Sequence, residues 1–241
     1  MSAVPTAFVT GADRGLGFAL TEGLLARGWR VFAGQNLPEW IELEGLRGRY
    51  PDTLSVVPLE VRSSDSAQAA ALAVRAVVDR VDLLINNAGV NSPTTPRTIR
   101  ETLDYPEMHR MYDINALGPV RVVEAFLPLV EASALRRLCF VSSEAGSIGA
   151  AQRTSWFGYT MSKAALNMAT RILFNHLRPE GFTFRVYHPG WVRSYISGKK
   201  GVEADLEPAE AAVPALRYFL DAEVDEDRLV LRDLDGKEWP W

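Results

Sequence analysis

Short apolar runs rich in β-forming residues alternate along this chain with longer segments of helical periodicity. Such alternation is typical of a parallel sheet, whose strands are buried on both faces and are joined by crossover helices. Seven runs are predicted strands, at 6–10, 29–33, 54–58, 81–86, 136–142, 182–187 and 228–231. The predicted helices are 15–27, 65–79, about 106–131, 158–178 and one that begins at Pro208. We expect an α/β fold: a doubly wound, seven-stranded parallel sheet with helices on both faces, in three α/β/α layers.

Nothing in the sequence divides this fold into parts. The 241 residues suffice for one large α/β domain, and no Ser/Gly linker, internal repeat or low-complexity tract interrupts them. We therefore expect a single domain over residues 1–241. Within it, Pro119 should kink the long third helix, because proline removes a backbone donor and clashes with the preceding turn.

Charge and composition argue against several functional classes. The net charge of −4 offers no general attraction for nucleic acid, and the two lysines at 199–200 are too few to change that. One cysteine and three scattered histidines provide no spaced ligand set for a transition metal. No apolar run approaches the roughly 20 residues of a membrane span, and residues 1–9 lack the features of a signal peptide. We expect a cytoplasmic protein without a metal, nucleic-acid or membrane partner.

A glycine-rich turn, TGADRGLG at residues 10–17, follows the first predicted strand and precedes the first helix. Glycines at 11, 15 and 17 would let the backbone approach a pyrophosphate at the amino end of that helix. Three glycines in a tight loop without any ligand would look the same. A second turn, Asn86-Asn-Ala-Gly89, ends the fourth strand, where a doubly wound sheet opens its ligand crevice. Alone, it is equally an ordinary Asn/Gly turn.

Tyr159 and Lys163 lie four residues apart in a predicted helix. This spacing puts their Cβ atoms on one face, roughly 6 Å apart. A nearby positive charge lowers the pKa of a phenol from about 10, which makes it a usable proton donor and acceptor near neutral pH. The alternative is a surface pair of tyrosine and lysine that merely share a helix face.

Together these motifs, with Val141-Ser-Ser143 and Pro189-Gly190, occur in an order that resembles the short-chain dehydrogenase/reductase family in its single-domain form. The resemblance runs from about residue 5 to the last residue and implies a Rossmann-type fold. Within the family, the segments 159–170, 188–192 and 233–241 are similar to the C-factor and sniffer-type carbonyl reductases.

The resemblance implies four catalytic residues. Ser143 would bind the substrate carbonyl, Tyr159 would act as general acid and base, and Lys163 would lower the tyrosine pKa and hold the nicotinamide ribose. Ser143 is preferred to Ser142 because the sequence after it, Ser-Glu-Ala-Gly, matches the family's Ser-x-x-Gly frame. Asn115 matches the asparagine that bends its helix and positions a water in the proton relay.

The resemblance also implies a dinucleotide site. Its expected cofactor contacts are Thr10, Gly11, Arg14, Gly15, Leu16, Gly17, Gln35, Glu60, Val61, Asn87, Ala88, Gly89, Tyr159, Lys163, Pro189, Gly190, Trp191 and Val192.

Two features of these contacts favour NADP(H) over NAD(H). No acidic residue follows the second strand before Glu39, so the usual partner of a ribose 2′-hydroxyl is missing. Arg14 could instead pair with a 2′-phosphate. The second arginine that the family places near Asn36 is absent. Glu60 and Ser194 replace a family aspartate and threonine, and both changes keep the hydrogen-bonding group.

The expected function is hydride transfer between a nicotinamide and a carbonyl or alcohol substrate. The substrate pocket is expected from segments 90–103, 144–157 and 191–202, with Trp156, Phe157 and Trp191 as an aromatic wall. Glu144 and Arg153 could recognise polar groups, although solvated loop charges are more common.

Two other functions remain open from the sequence. One is a signalling or regulatory protein of the same fold that binds the cofactor with little or no turnover. A serine hydrolase is disfavoured because no Gly-x-Ser-x-Gly elbow is present. The family resemblance further implies a homodimer or homotetramer built on the helices that carry Asn115 and Tyr159.

Overall fold

The computed structural model describes residues 4–198, 200–201 and 203–241. Every named strand of the described residues belongs to one sheet. The strands are β1 (Thr6–Val9), β2 (Arg30–Gln35), β3 (Leu54–Pro58), β4 (Leu83–Asn86), β5 (Arg137–Val141), β6 (Thr183–His188), β7 (Leu231–Asp233) and β8 (Glu238–Trp239). Their order across the sheet is β3-β2-β1-β4-β5-β6-β7-β8. All neighbouring pairs are parallel except β7 and β8.

In the part of the chain that the structure describes, seven α-helices connect these strands. They are α1 (Gly15–Leu25), α2 (Glu42–Arg49), α3 (Ser64–Arg75), α4 (Tyr105–Tyr112), α5 (Gly118–Glu131), α6 (Phe157–Leu177) and α7 (Pro208–Leu220). None of the described helices is long and apolar enough to cross a membrane.

The sheet has a hydrophobic core on each face, because successive strand side chains point to opposite sides. On β1, Phe8 belongs to the core that α3, α5 and α6 cover, whereas Ala7 and Val9 belong to the core under α1, α2 and α7. Strands buried on both faces read as continuous apolar runs, which is why they were visible in the sequence.

The predicted doubly wound parallel sheet is confirmed, with two corrections. The sheet has eight strands, because two residues at 238–239 pair antiparallel to β7. A two-residue strand followed by Pro240 carries no periodic pattern and could not be predicted. The seventh strand begins at Leu231 instead of 228.

The helix prediction also needs correction. Helix α2 was missed because its sequence, ELEGLRGR, is charged and contains two glycines. The long third helix keeps helical backbone throughout Tyr105–Glu131, but a π-helical turn at Asp113–Leu117, which was not predicted, joins its α4 and α5 parts. Pro119 lies just after this turn, in the first turn of α5.

Candidate active site

A cavity of about 1200 Å³ opens at the carboxyl ends of β1, β4, β5 and β6. It brings together the glycine turn, the Asn-Asn-Ala-Gly turn, the two serines after β5 and the segment after β6. The expected cofactor contacts that line it are Gly11, Arg14, Gly15, Leu16, Gly17, Glu60, Val61, Asn87, Ala88, Gly89, Tyr159, Lys163, Pro189, Gly190, Trp191 and Val192. Thr10, Gln35 and Asn115 do not line the cavity.

The glycine turn needs its glycines for two different reasons. Gly11 and Gly15 have φ of +63° and +57°, a left-handed conformation that side chains disfavour. At Gly17 the constraint is space, because a Cβ atom would lie 2.0 Å from the carbonyl oxygen of Gly11. The turn therefore presents bare backbone at the amino end of α1, as an anion site requires.

Thr10 does not line the cavity but links the glycine turn to the turn after β4. Its hydroxyl accepts hydrogen bonds from the backbone N–H groups of Asn87 and Ala88, both at 2.9 Å. The Asn87 amide donates in return to the carbonyls of Thr10 (2.9 Å) and Gly11 (3.1 Å). These bonds tie the turns after β1 and β4 into one wall of the cavity.

Gln35 and Asp13 organise the turn after β2. The Gln35 amide donates to the carbonyls of Leu37 (3.4 Å) and Trp40 (3.3 Å), so its expected cofactor contact is replaced by a contact within the protein. Asp13 Oδ1 accepts from the N–H groups of Asn36 (2.8 Å) and Leu37 (2.9 Å). Burial raises the pKa of Asp13, and these hydrogen bonds partly offset the rise. Asp13 was missed because it occupies a variable position of the glycine motif.

Tyr159 and Ser143 meet in the cavity, as their motifs predicted. Burial raises the pKa of Tyr159 to about 12, and a hydrogen bond with Ser143 offsets part of that rise. Lys163 is not among the groups that shift the pKa of Tyr159 in this structure, so the expected lowering of the tyrosine pKa by Lys163 stays a prediction. Tyr159 keeps its proton at neutral pH.

Lys163 lies on the same helix face, with its ammonium nitrogen 5.9 Å from the centroid of the Tyr159 ring. The side chain is buried and donates to the carbonyl of Val141 at 3.0 Å. Burial lowers the pKa of Lys163 to about 8. The predicted pairing of the two side chains in one site is thus present, with both pKa values shifted toward the neutral forms.

Ser142 points away from this pair. Its hydroxyl donates to Asn167 at 2.6 Å, and the Asn167 amide in turn donates to the carbonyl of Gly146 at 3.1 Å. Ser142 thereby anchors the short 3₁₀ turn Glu144–Gly146, in agreement with the preference for Ser143 as the reactive serine.

Asn115 lies in the π-helical turn and is fully buried. Its amide oxygen accepts from the N–H of Val90 at 2.8 Å, and its amide nitrogen donates to the Val90 carbonyl (2.8 Å) and the Ser162 hydroxyl (3.0 Å). The side chain therefore joins the segment after β4 to α6 and has no atom that lines the cavity.

The substrate end of the cavity contains charges and aromatic rings. Arg153 forms two hydrogen bonds with Glu144, at 2.8 and 2.6 Å, and its guanidinium carbon lies 5.5 Å from the Trp156 ring centroid. Trp156 has φ of +73° and packs edge-on against Tyr159, with 6.0 Å between centroids. Trp191 also lines the cavity, whereas Phe157 does not. Lys199 and Val202 of the expected substrate segment lie outside the described residues.

His188 is a lining residue that the sequence did not indicate. Its Nδ1 is buried and has no hydrogen-bond partner among the described residues. Burial lowers the pKa of His188, so the imidazole is neutral. It was missed because its place at the end of β6 gives no local sign of a cavity-lining role.

Arg14 is the expected 2′-phosphate ligand, and it lines the cavity at the end of β2. Its guanidinium carbon lies 4.5 Å from the ring centroid of Trp40 and 5.0 Å from that of Tyr195. Neither aromatic contact was expected, because the three residues are far apart in the sequence.

Comparisons with known proteins agree with this geometry. The family model described as short chain dehydrogenase matches residues 5–204. C-signal of Myxococcus xanthus is 41% identical over 171 residues, which are 71% of this chain and 99% of that protein. The solved NADPH-bound carbonyl reductase from chicken fatty liver is similar with a TM-score of 0.84 and 32% identity, and 99% of each chain is covered.

The carbonyl reductase Sniffer of D. melanogaster has a TM-score of 0.88 at 24% identity, covering 99% of this chain and 100% of that one, a likeness that supports the fold alone. The expected resemblance to C-factor-type proteins agrees with the similarity to C-signal, whereas the likeness to Sniffer is one of fold. The family model spans most of the chain, and C-signal exceeds 30% identity over more than two thirds of it. The chain belongs to the short-chain dehydrogenase/reductase family of oxidoreductases.

Proposed function

We propose that this protein is an NADPH-dependent oxidoreductase that transfers hydride between the nicotinamide and a carbonyl or alcohol substrate. The observation that carries the proposal is the meeting of Ser143, Tyr159 and Lys163 in the cavity that the glycine turn also lines. The residues present fit a dinucleotide: a side chain at Gly17 would fill the turn, and a helix amino end lies behind it. The cofactor supplies the hydride.

In the direction of reduction, the protein must supply a proton. The substrate carbon gains the hydride while its oxygen takes the proton of the Tyr159 hydroxyl, and alcohol oxidation reverses both transfers. Burial raises the pKa of Tyr159 to about 12, so the proton that reduction requires is present on the hydroxyl at neutral pH. Ser143 orients the carbonyl oxygen, and Lys163 holds the nicotinamide ribose. We assign Asn115 a positioning role in the proton relay, through its bonds to Val90 and Ser162.

Three observations favour NADP(H) over NAD(H). Arg14 lines the cavity, no acidic side chain follows β2 before Glu39, and the similar carbonyl reductase from chicken fatty liver binds NADPH. An acidic group at the end of β2 would bond a ribose 2′-hydroxyl and repel a 2′-phosphate.

The test is replacement of Tyr159 by Phe. Turnover of a panel of aldehydes and ketones should fall by about 10²- to 10⁴-fold, the usual contribution of a general acid. NADPH binding, followed by quenching of the six tryptophans, should stay within about twofold, because the ring remains. Tyr112→Phe, at an exposed position of α4, is the matched control and should change neither. Equal turnover by Tyr159→Phe and the wild type would refute the proposed chemistry.

A second candidate function is a cofactor-binding signalling or regulatory protein with little or no turnover. The similarity to C-signal of Myxococcus xanthus favours it. In that case wild type and Tyr159→Phe would bind cofactor equally and neither would turn over any carbonyl of the panel.

We also propose that residues 1–241 form a single domain that assembles as a homodimer or homotetramer in the cytoplasm. Exposed apolar residues on α4 and α6 support the assembly: Tyr105 is 60% exposed, Met161 57%, Met168 61% and Ile172 60%. Met161, Met168 and Ile172 are spaced so that they share one face of α6, and a contiguous exposed apolar patch marks a protein–protein interaction site.

A further inference from the structure

Arg14 differs from the other arginines of the cavity in its partners. Arg62, Arg110 and Arg153 line the same cavity and each pairs with a carboxylate at 2.6–2.8 Å. Within the described part of the chain, no carboxylate lies within 4.0 Å of the Arg14 guanidinium, and the guanidinium donates no hydrogen bond. All its N–H donors are free for a ligand that accepts them, whereas those of the other three are partly used.

Instead of an acid, Arg14 has two aromatic partners. Its guanidinium carbon lies 4.5 Å from the Trp40 centroid and 5.0 Å from the Tyr195 centroid, and the two rings contact each other edge-on at 4.6 Å. A cation beside an aromatic ring is attracted by the ring quadrupole, and the attraction consumes no N–H donor. The rings therefore hold the side chain without neutralising it.

Both rings stand on backbone that is fixed independently of Arg14. The N–H of Trp40 donates to the Leu37 carbonyl at 3.1 Å, and its own carbonyl accepts from Gln35. The segment that carries Tyr195 is held by the Ile196 carbonyl, which accepts from the N–H of Asn91 at 2.7 Å. The positions of the two rings are therefore set by the backbone and do not depend on the position of the Arg14 side chain.

We propose that Trp40 and Tyr195 form an aromatic clamp that positions Arg14 for a 2′-phosphate, so that these two residues help to determine the preference for NADPH over NADH. The inference rests on the proposed NADP(H) function of the same site. An arginine that is already ordered loses less conformational entropy when the phosphate binds, and the clamp should act only on the ligand that has that phosphate. The amide of Gln35, which does not line the cavity, donates to the Trp40 carbonyl at 3.3 Å and so helps to fix the backbone of the clamp.

The experiment compares the dissociation constants of NADPH and NADH, measured by calorimetry for the full chain, because the two cofactors differ only in the 2′-phosphate. Trp40→Leu and Tyr195→Leu should each weaken NADPH binding about fivefold, the order of one lost cation–π contact and one unordered arginine. NADH binding should change by less than about twofold. Tyr195→Phe keeps the ring and should keep the preference, and Tyr112→Leu, at an exposed tyrosine of α4, is the matched control.

The outcomes separate the clamp from the cofactor preference on which it rests. If Arg14→Gln abolishes the preference while both Leu variants retain it, the preference stands and the clamp is refuted. If the Leu variants weaken NADPH and NADH equally, the rings merely support the fold there and the clamp is also refuted. If the wild type binds NADPH no more tightly than NADH, the proposed cofactor preference fails and the clamp fails with it.

Discussion

Lys163 is a buried ionisable group, so its burial should affect how the stability of the protein depends on pH. Burial lowers its pKa to about 8, below the usual 10.5. Between these two values the unfolded chain binds more protons at this group than the folded protein does. Stability contributed by Lys163 therefore rises with pH across that window, because ∂ΔG/∂pH has the sign of the extra protons bound by the unfolded state.

We predict that Lys163→Met removes this dependence. As pH increases from 7 to 10, the unfolding free energy of the wild type should rise relative to that of the variant, whatever constant offset comes from the lost bond to Val141. Urea unfolding of the cofactor-free proteins at both pH values measures the difference. A difference between the wild type and Lys163→Met that stays the same at both pH values would refute the prediction.

Sequence motifs were sufficient to predict which candidate catalytic side chains share the cavity, but they did not predict the residues that support them. Ser143, Tyr159 and Lys163 could be predicted because each stands in a local pattern with a chemical reason. Trp40 and Tyr195 could not, because an aromatic residue becomes a partner of Arg14 only when distant segments meet. The burial that raises the pKa of Tyr159 could not be predicted for a related reason: helical spacing gives the distance to a charge and says nothing about the depth of burial.

The glycine turn between β1 and α1 is an element whose sequence and geometry agree. Gly17 is required by the close approach of the Gly11 carbonyl, so the element should not tolerate even one added methyl group. Gly45, in the middle of α2, has no atom within 4 Å of where a Cβ would stand. The two positions form a matched pair for the same substitution.

Gly17→Ala should lower stability by about 1–3 kcal/mol, as overpacking against backbone does. It should also weaken NADPH binding about tenfold or more, since the turn must shift by a substantial part of an ångström. Gly45→Ala should instead stabilise by about 0.5–1 kcal/mol, because alanine loses less backbone entropy in a helix. Thermal unfolding and calorimetric titration check both, and a neutral Gly17→Ala would show that the turn is more plastic than its contacts indicate.

Helices and strands with a clear apolar periodicity could be predicted from the sequence. Elements that depend on contacts with distant segments could not. The buried strands and α6 have clear apolar patterns. Strand β8 exists because Glu238 and Trp239 pair with β7, and the π turn at Asp113–Leu117 coincides with the bonds of Asn115 to Val90 and Ser162. The local sequence shows no periodic pattern of apolar residues that would predict either arrangement.

At the scale of the whole molecule, the sheet separates the candidate active site, at the carboxyl ends of its strands, from a charged cluster toward their opposite ends. Arg137 begins β5 and Arg185 lies in β6, with side chains 5% and 0% exposed. Both bond to Glu226, at 3.1 and 2.7 Å, and to backbone carbonyls at the end of α7. Ser143 lies beyond the other end of β5, so this cluster should affect stability without affecting the reaction.

We predict that Glu226→Gln, which keeps the shape and removes the charge, lowers the unfolding free energy by about 3 kcal/mol, because two buried guanidinium groups lose their counter-charge. Glu223→Gln, at an exposed position of the same loop, should stay within about 0.5 kcal/mol of the wild type. Adding Arg137→Met to Glu226→Gln should recover part of the loss, since it removes one uncompensated charge. Turnover per folded molecule should be unchanged in all three variants. A fall in turnover that exceeds the fall in folded protein would contradict the prediction. It would mean that the charged cluster is coupled to the candidate active site at the other end of the strands.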